Sequence, residues 1–93
     1  MIYLLVKLHD NTVLVGATED DSKEELILQD ARMVVYWSAD VKGMPGLCKN
    51  GPSKSCRVSP ATALLRITKS NNVRFCARMT EKAWHAFEAE PWA

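Results

Sequence analysis

Four arginines and one adjacent aromatic pair carry the most distinctive chemistry in this 93-residue chain. Arg32, Arg66, Arg74 and Arg78 each present a planar fork of donors that matches a phosphate or carboxylate, and Tyr36 and Trp37 offer rings on which a base can stack. Lys49 and Lys54, in a stretch rich in Gly and Pro, add point charges of the same sign. The segment from Val41 to Thr80 holds eight basic residues and no Asp or Glu, whereas the first forty residues hold eight acids against three bases. A formal net charge of +1 hides this segregation. A cationic half of this kind attracts phosphates or acidic surfaces, or finds its complement in the acidic half of its own or a neighbouring copy.

The residues point to binding rather than to catalysis. Gly43 to Gly46 and Lys49 to Ser55 contain glycine and lysine, yet they lack the strand-loop-helix setting and the spacing of a nucleotide P-loop. His85 stands beside Trp84 in a helical pattern and His9 ends a strand at a turn, so no nucleophile has a base, and no catalytic residue is assigned. The acids Glu19 to Glu25 cluster in a solvated loop, a poor setting for general acid-base work. Cys48, Cys56 and Cys76 are an odd number of thiols with a spacing foreign to zinc knuckles, so reduced cysteines, no metal and no cofactor are expected. A pI of about 7.7 falls below the domain pI above about 9 that dedicated polyanion binders show, which argues against long nucleic acid. The apolar run Met1 to Val6 is too short for a bilayer span or an export signal, so the expectation is a soluble protein of the cytoplasm.

These residues have to be positioned by a single small domain, residues 1–93, whose length leaves little core to spare and favours assembly. Met1 to His9 alternates with period two, Asp10-Asn11 supplies a tight turn, and Thr12 to Thr18 returns with Gly16 removing a side chain mid-strand, the mark of a bend or a close approach. Glu24 to Gln29 forms a third strand, kinked at Asp30-Ala31 and continued from Arg32 to Trp37, which completes a meander over 1–37. A long irregular connection over 38–60 follows. Ala63 to Thr68 and Val73 to Met79 then read as a β-hairpin over 63–79, turning at Ser70-Asn71-Asn72. Thr80 caps a C-terminal helix over 80–90 whose stripe is Ala83, Trp84 and Phe87. The fold class is mainly β, a β-rich α+β domain: a strongly bent five-stranded antiparallel sheet or an SH3/Sm-like barrel, with one terminal helix. Trp92, beyond that helix, is the residue expected at an oligomer contact.

The run Val15-Gly16, then Leu26 to Arg32, then Val35 to Ala39, followed by Cys48-Lys49 and by Val73 to Cys76, resembles an uncharacterised family of short bacteriophage and prophage proteins. The Leu-x-Asp-Ala-Arg-x-x-x-Tyr-Trp stretch is its specific part. The resemblance implies a phage-associated origin and no mechanism. Met44 to Ser59 departs from it, being richer in Gly, Pro and Lys than the helical, Leu-containing segment the family shows.

Two readings of the central residues stay open. In the structural one, Asp30 caps neighbouring amides, Arg32 pairs with an acid of the first hairpin, Trp37 fills the core and the strand arginines pair with Glu19 to Glu25. In the functional one, Arg32, Arg66, Arg74 and Arg78 grip phosphate with help from Lys49 and Lys54, while Tyr36 or Trp37 stacks on a base. The expected function is then a non-enzymatic module that captures an anionic, nucleotide-like ligand, as in sequestration of a host signal. The alternatives are an inhibitor or adaptor that binds a host protein and a ring-forming virion component. The expected partners are thus a phosphorylated small molecule or a host protein, with further copies of the chain.

Overall fold

A computed structural model describes residues 1–90 of the chain. The expected contact at Trp92 therefore lies outside the described residues. Six strands form one antiparallel sheet: β1 (Ile2–Leu8), β2 (Val13–Thr18), β3 (Glu25–Tyr36), β4 (Arg57–Val58), β5 (Leu64–Thr68) and β6 (Val73–Arg78). Three helices accompany them: α1 (Gly43–Asn50), the single turn α2 (Lys69–Asn72) and α3 (Glu81–Ala89). The order across the sheet is β4-β3-β2-β1-β6, with β5 also paired to β3. No described helix is long and apolar enough to cross a membrane.

The first hairpin is the centre of the molecule because its alternation serves two cores. Leu5, Val13, Val15 and Ala17 point to one face, where Leu47 of α1 and Ala83, Trp84 and Phe87 of α3 cover them. Leu4, Val6 and Leu14 point to the other, where the curled sheet brings Leu26, Leu28, Ala31 and Ile67 against them. All six residues of β2 are buried. Asn11 takes φ 72° in the turn, and the Asp10 carboxylate accepts a hydrogen bond from the Thr12 amide at 3.0 Å.

The bend is made at two places. Gly16 lies so close to β3 that a Cβ there would stand 2.9 Å from Cβ of Leu28. Asp30 adopts φ 52°, and the β2–β3 register slips between Val15 and Ala17. This left-handed residue turns β3 into two arms: Glu25 to Gln29 pairs with β5, and Val34 to Tyr36 pairs with β4. The sheet curls without closing, since β5 and β6 share no ladder among the described residues.

Three expectations need correction. The sheet has six strands rather than five, and of the two forms expected it takes the bent open sheet and not the barrel. The β-hairpin over 63–79 does not form: the one-turn helix α2 carries the chain from the β3 edge to the β1 edge, so β5 and β6 pair with different neighbours. The connection over 38–60 is not irregular, since it holds a 3-10 turn (Ala39–Val41), α1 and β4. Its Gly and Pro have helical uses. Pro45 lies in the first turn of α1, where its missing N–H costs nothing, and a Cβ at Gly46 would lie 1.6 Å from the Val41 oxygen, so glycine permits the helix to leave that turn.

Thr80 joins the two longer helices. Its hydroxyl accepts from the Ala83 amide at 3.0 Å, which caps α3, while its amide and hydroxyl donate to the Cys48 oxygen at 2.9 Å and the Lys49 oxygen at 2.7 Å at the end of α1. Tyr3 of β1 stacks on Trp84 with ring centroids 5.0 Å apart.

Gly16→Ala is expected to destabilise the domain by about 1 to 3 kcal/mol, because the added methyl meets the base of the Leu28 side chain, which has no rotamer to yield. Chemical denaturation checks this. A neutral result would mean that β2 and β3 can separate locally at no cost.

Candidate functional site

Arg32 lies on β3 opposite Val15 and is only 8% exposed. Its Nε donates to the Ser59 oxygen at 2.7 Å, Nη1 to the Phe87 oxygen and Nη2 to the Glu90 oxygen at 2.7 Å. The last two acceptors belong to the carboxyl end of α3, where the terminal carbonyls and the helix dipole favour a cation, although the Phe87 oxygen also accepts the Glu90 amide at 3.1 Å. The residue that the motif singles out thus joins the second arm of β3, the strand-free chain after β4 and the C-terminal helix. Its three nitrogens are engaged with main-chain oxygens of the same chain, and no acid of the first hairpin pairs with it.

Arg78 is placed elsewhere. Its Nε and Nη2 donate to the two oxygens of Asp21 at 2.9 and 3.1 Å, a bidentate pair that ties the β2–β3 loop to β6. The guanidinium hydrogen bond holds the Asp21 carboxyl below the usual carboxylate range. Lys69 Nζ donates to the main-chain oxygen of Asp21, and Glu24 accepts the Ser70 amide on both carboxylate oxygens at 3.2 Å. The acidic loop therefore meets part of the basic half inside one chain.

The other cations remain on the surface. Arg66 is on β5 opposite Ile27, Arg74 on β6, Lys49 in the last turn of α1 and Lys54 in the turn before β4, all exposed. Among the described residues none of them forms an ion pair. Arg32 and Arg78 have different partners, so the four arginines do not converge on one cradle.

Tyr36 and Trp37 separate as well. Trp37 is half-buried against the core beneath the helices, while Tyr36 is 51% exposed beside its cross-strand partner Arg57. The pairing slips between Val34 and Tyr36, which breaks the alternation, and Val35 and Tyr36 are both exposed as a result. Met33 and Val35 are 42% and 56% exposed, so the second arm of β3 shows three large apolar side chains within four residues. Met33 also borders a groove of about 310 Å³ lined by Leu8, Leu14, Leu65, Arg66 and Ile67. The result is an apolar strip with an arginine at each part of it, Arg57 beside Tyr36 and Arg66 in the groove, neither in an ion pair among the described residues.

Sequence reasoning missed Met33, Val35, Leu65 and Arg57 as site residues. Arg57 belonged to the acid-free run, and the signal that would have drawn attention to it was its place two residues before Ser59, in the return segment opposite Tyr36. Cys48 and Cys56 are buried and Cys76 is exposed, and among the described residues no three His, Cys, Asp or Glu side chains gather as metal ligands would. Burial pushes the thiol pKa of both Cys48 and Cys76 up.

A family model for a domain of unknown function, DUF6948, matches residues 1–87. The chain belongs to this family. No curated protein and no solved structure matches it. The span of the DUF6948 match takes in Arg32, Phe87, the whole sheet and nearly all of α3, so the family unit contains most of the arginine clamp and the whole apolar strip.

The Asp21–Arg78 pair has a titration signature. Because the folded value of Asp21 is lowered, its contribution is present above the ordinary 3.8 and is lost as pH falls through the lower folded value. NMR titration of the Asp21 carboxyl is expected to give a midpoint below 3.8 that rises in Arg78→Gln. A midpoint that does not move on that substitution would show the pair to be absent in solution.

Proposed function

We propose that this DUF6948 domain is a non-catalytic binding module that docks an acidic, apolar-bearing segment of another protein on the second arm of β3. One observation carries the reading: Met33, Val35 and Tyr36 are exposed together at 42%, 56% and 51%, with Arg57 across from Tyr36 and in no ion pair among the described residues. An apolar strip of this kind rimmed by cations has the composition of a protein-recognition patch, in which an aromatic anchor supplies contact area and the rim selects charge. The groove bordered by Met33 and Arg66 extends the same surface and can take one large apolar side chain of the partner.

Capture of a small phosphorylated ligand fits the geometry less well. Of the residues that would grip phosphate, Arg32 is turned into the fold toward three carbonyl oxygens and Arg78 is held by Asp21. Tyr36 and Trp37 do not face one stacking site, since one is open and the other half-buried. In the setting that the resemblance to phage and prophage proteins implies, the partner is a host protein in the bacterial cytoplasm, and the domain serves as an inhibitor or adaptor.

The test uses a defined probe, an extended peptide in which Glu alternates with Leu and Phe. Chemical shifts are expected to move at Met33, Val35, Tyr36 and Arg57, and Arg57→Glu or Tyr36→Ala is expected to weaken the peptide by about tenfold or more. Calorimetric titration with mono-, di- and cyclic nucleotides is expected to show nothing tighter than millimolar. Shifts confined to Lys49, Lys54 and Arg74, or a nucleotide bound in the micromolar range, would overturn the reading.

A further inference from the structure

Strand β6 ends the sheet and pairs only with β1 among the described residues. The Met79 amide donates to the Tyr3 oxygen at 2.6 Å, which sets the phase of that ladder. Residues 75, 77 and 79 turn their main-chain groups toward β1, so those of Cys76 and Arg78 point away from it. No other described segment takes them up. The side chains do not cover the edge either. Arg74, Phe75 and Cys76 are exposed in succession, Phe75 at 39%, so both faces of the strand are open at this point. The edge carries no proline, and its pairing with β1 slips only beside Arg74, so Phe75 to Arg78 form a regular run, unpaired on its outer side, that is a template for another strand.

The strand is self-complementary about Cys76. In an antiparallel pair centred there, Cys76 faces its own counterpart in a mutually hydrogen-bonded pair, Phe75 faces Ala77, and Arg74 faces Arg78 of the partner subunit. That last juxtaposition would repel if both were free. It does not, because Arg78 already holds Asp21 in a bidentate pair, so the approaching Arg74 meets a carboxylate as well as a guanidinium. The acidic loop thus supplies the charge that lets the edge accept a copy of itself.

We propose that two copies of the chain join edge to edge through β6, in an isologous dimer whose two-fold axis passes by Cys76. The sheet is then continuous across both subunits. The surface is separate from the apolar strip on β3 and leaves it free in each copy.

The full chain is examined by sedimentation up to its highest soluble concentration, and by thiol oxidation with diamide, which takes up the two protons and two electrons released as one disulfide forms. The expected mass is twice the 10.4 kDa of the chain. Oxidation is expected to link Cys76 to Cys76 of the partner subunit, since main-chain pairing puts the two Cα atoms about 5.5 Å apart, within disulfide range, while Cys48 and Cys56 are buried. Cys76→Ser is expected to lose the link and keep the doubled mass. Cys76→Pro removes an outward amide that β1 does not use, and is expected to halve the mass while its NMR spectrum stays dispersed. A wild-type chain that stays monomeric, or a dimer whose oxidation links no Cys76 pair, overturns the proposal, whether or not the proline variant folds. A dimer that a folded Cys76→Pro leaves intact also overturns it.

Discussion

The buried guanidinium of Arg32 is the constraint on which the remaining structure depends. A cation nine-tenths hidden from water is costly unless its donors are met, and here they are met by Ser59, Phe87 and Glu90 oxygens rather than by an acid. The arrangement solves two problems together. The carboxyl end of α3 has carbonyls that no further helical turn can satisfy, and Arg32 supplies two donors and a positive charge there while its third donor holds Ser59. In return, α3 is fixed across β1 and β2, where Ala83, Trp84 and Phe87 close the first core. The left-handed turn at Asp30 belongs to the same device, because it swings the second arm of β3 into the position from which residue 32 can reach the helix.

Charge sorting along the chain acquires a physical meaning from this frame. The eight bases without an acid between Val41 and Thr80 do not form one open cradle. Part of that charge is neutralised at the seam between α2 and β6, where the Asp21 carboxylate holds Arg78, while Lys69 donates to the Asp21 main-chain oxygen and Glu24 accepts the Ser70 amide. The part left over is at the surface, with Arg57 and Arg66 against exposed apolar side chains. A flexible pair at an exposed seam contributes little to stability. Its larger effect is positional: it holds the β2–β3 loop down on the curled sheet.

The first hairpin, the kink at Asp30 and the Thr80-capped helix were legible because each rests on a local rule: alternation, a left-handed Asx residue, and a hydroxyl that accepts from the third residue on. Gly16 was legible for the same reason as a bend or a close approach, though not which strand approaches: that is β3, at Leu28. What local rules could not reach was partner choice. Ser70-Asn71-Asn72 reads as a hairpin turn in isolation, yet Lys69 to Asn72 closes a helical turn, and β5 and β6 are claimed by β3 and β1. The glycines and proline of α1 read as loop residues because Gly46 answers a tertiary requirement, the passage of the Val41 carbonyl. At the candidate site the sequence marked Arg32 as unusual without showing which way it faces. The same side chain suits a phosphate or a helix end, and only the fold decides between them.

Hydrogen exchange in Arg32→Met tests the clamp most directly, since methionine retains the apolar stem and removes every donor. Bonds to a charged donor contribute about 1.5 to 3 kcal/mol each, so the α3 amides should open more easily by about 2 kcal/mol or more while β1 and β2 keep their protection. Unchanged protection of residues 83–90 in that variant would contradict the account, because it would show that Trp84 and Phe87 hold the helix by packing alone.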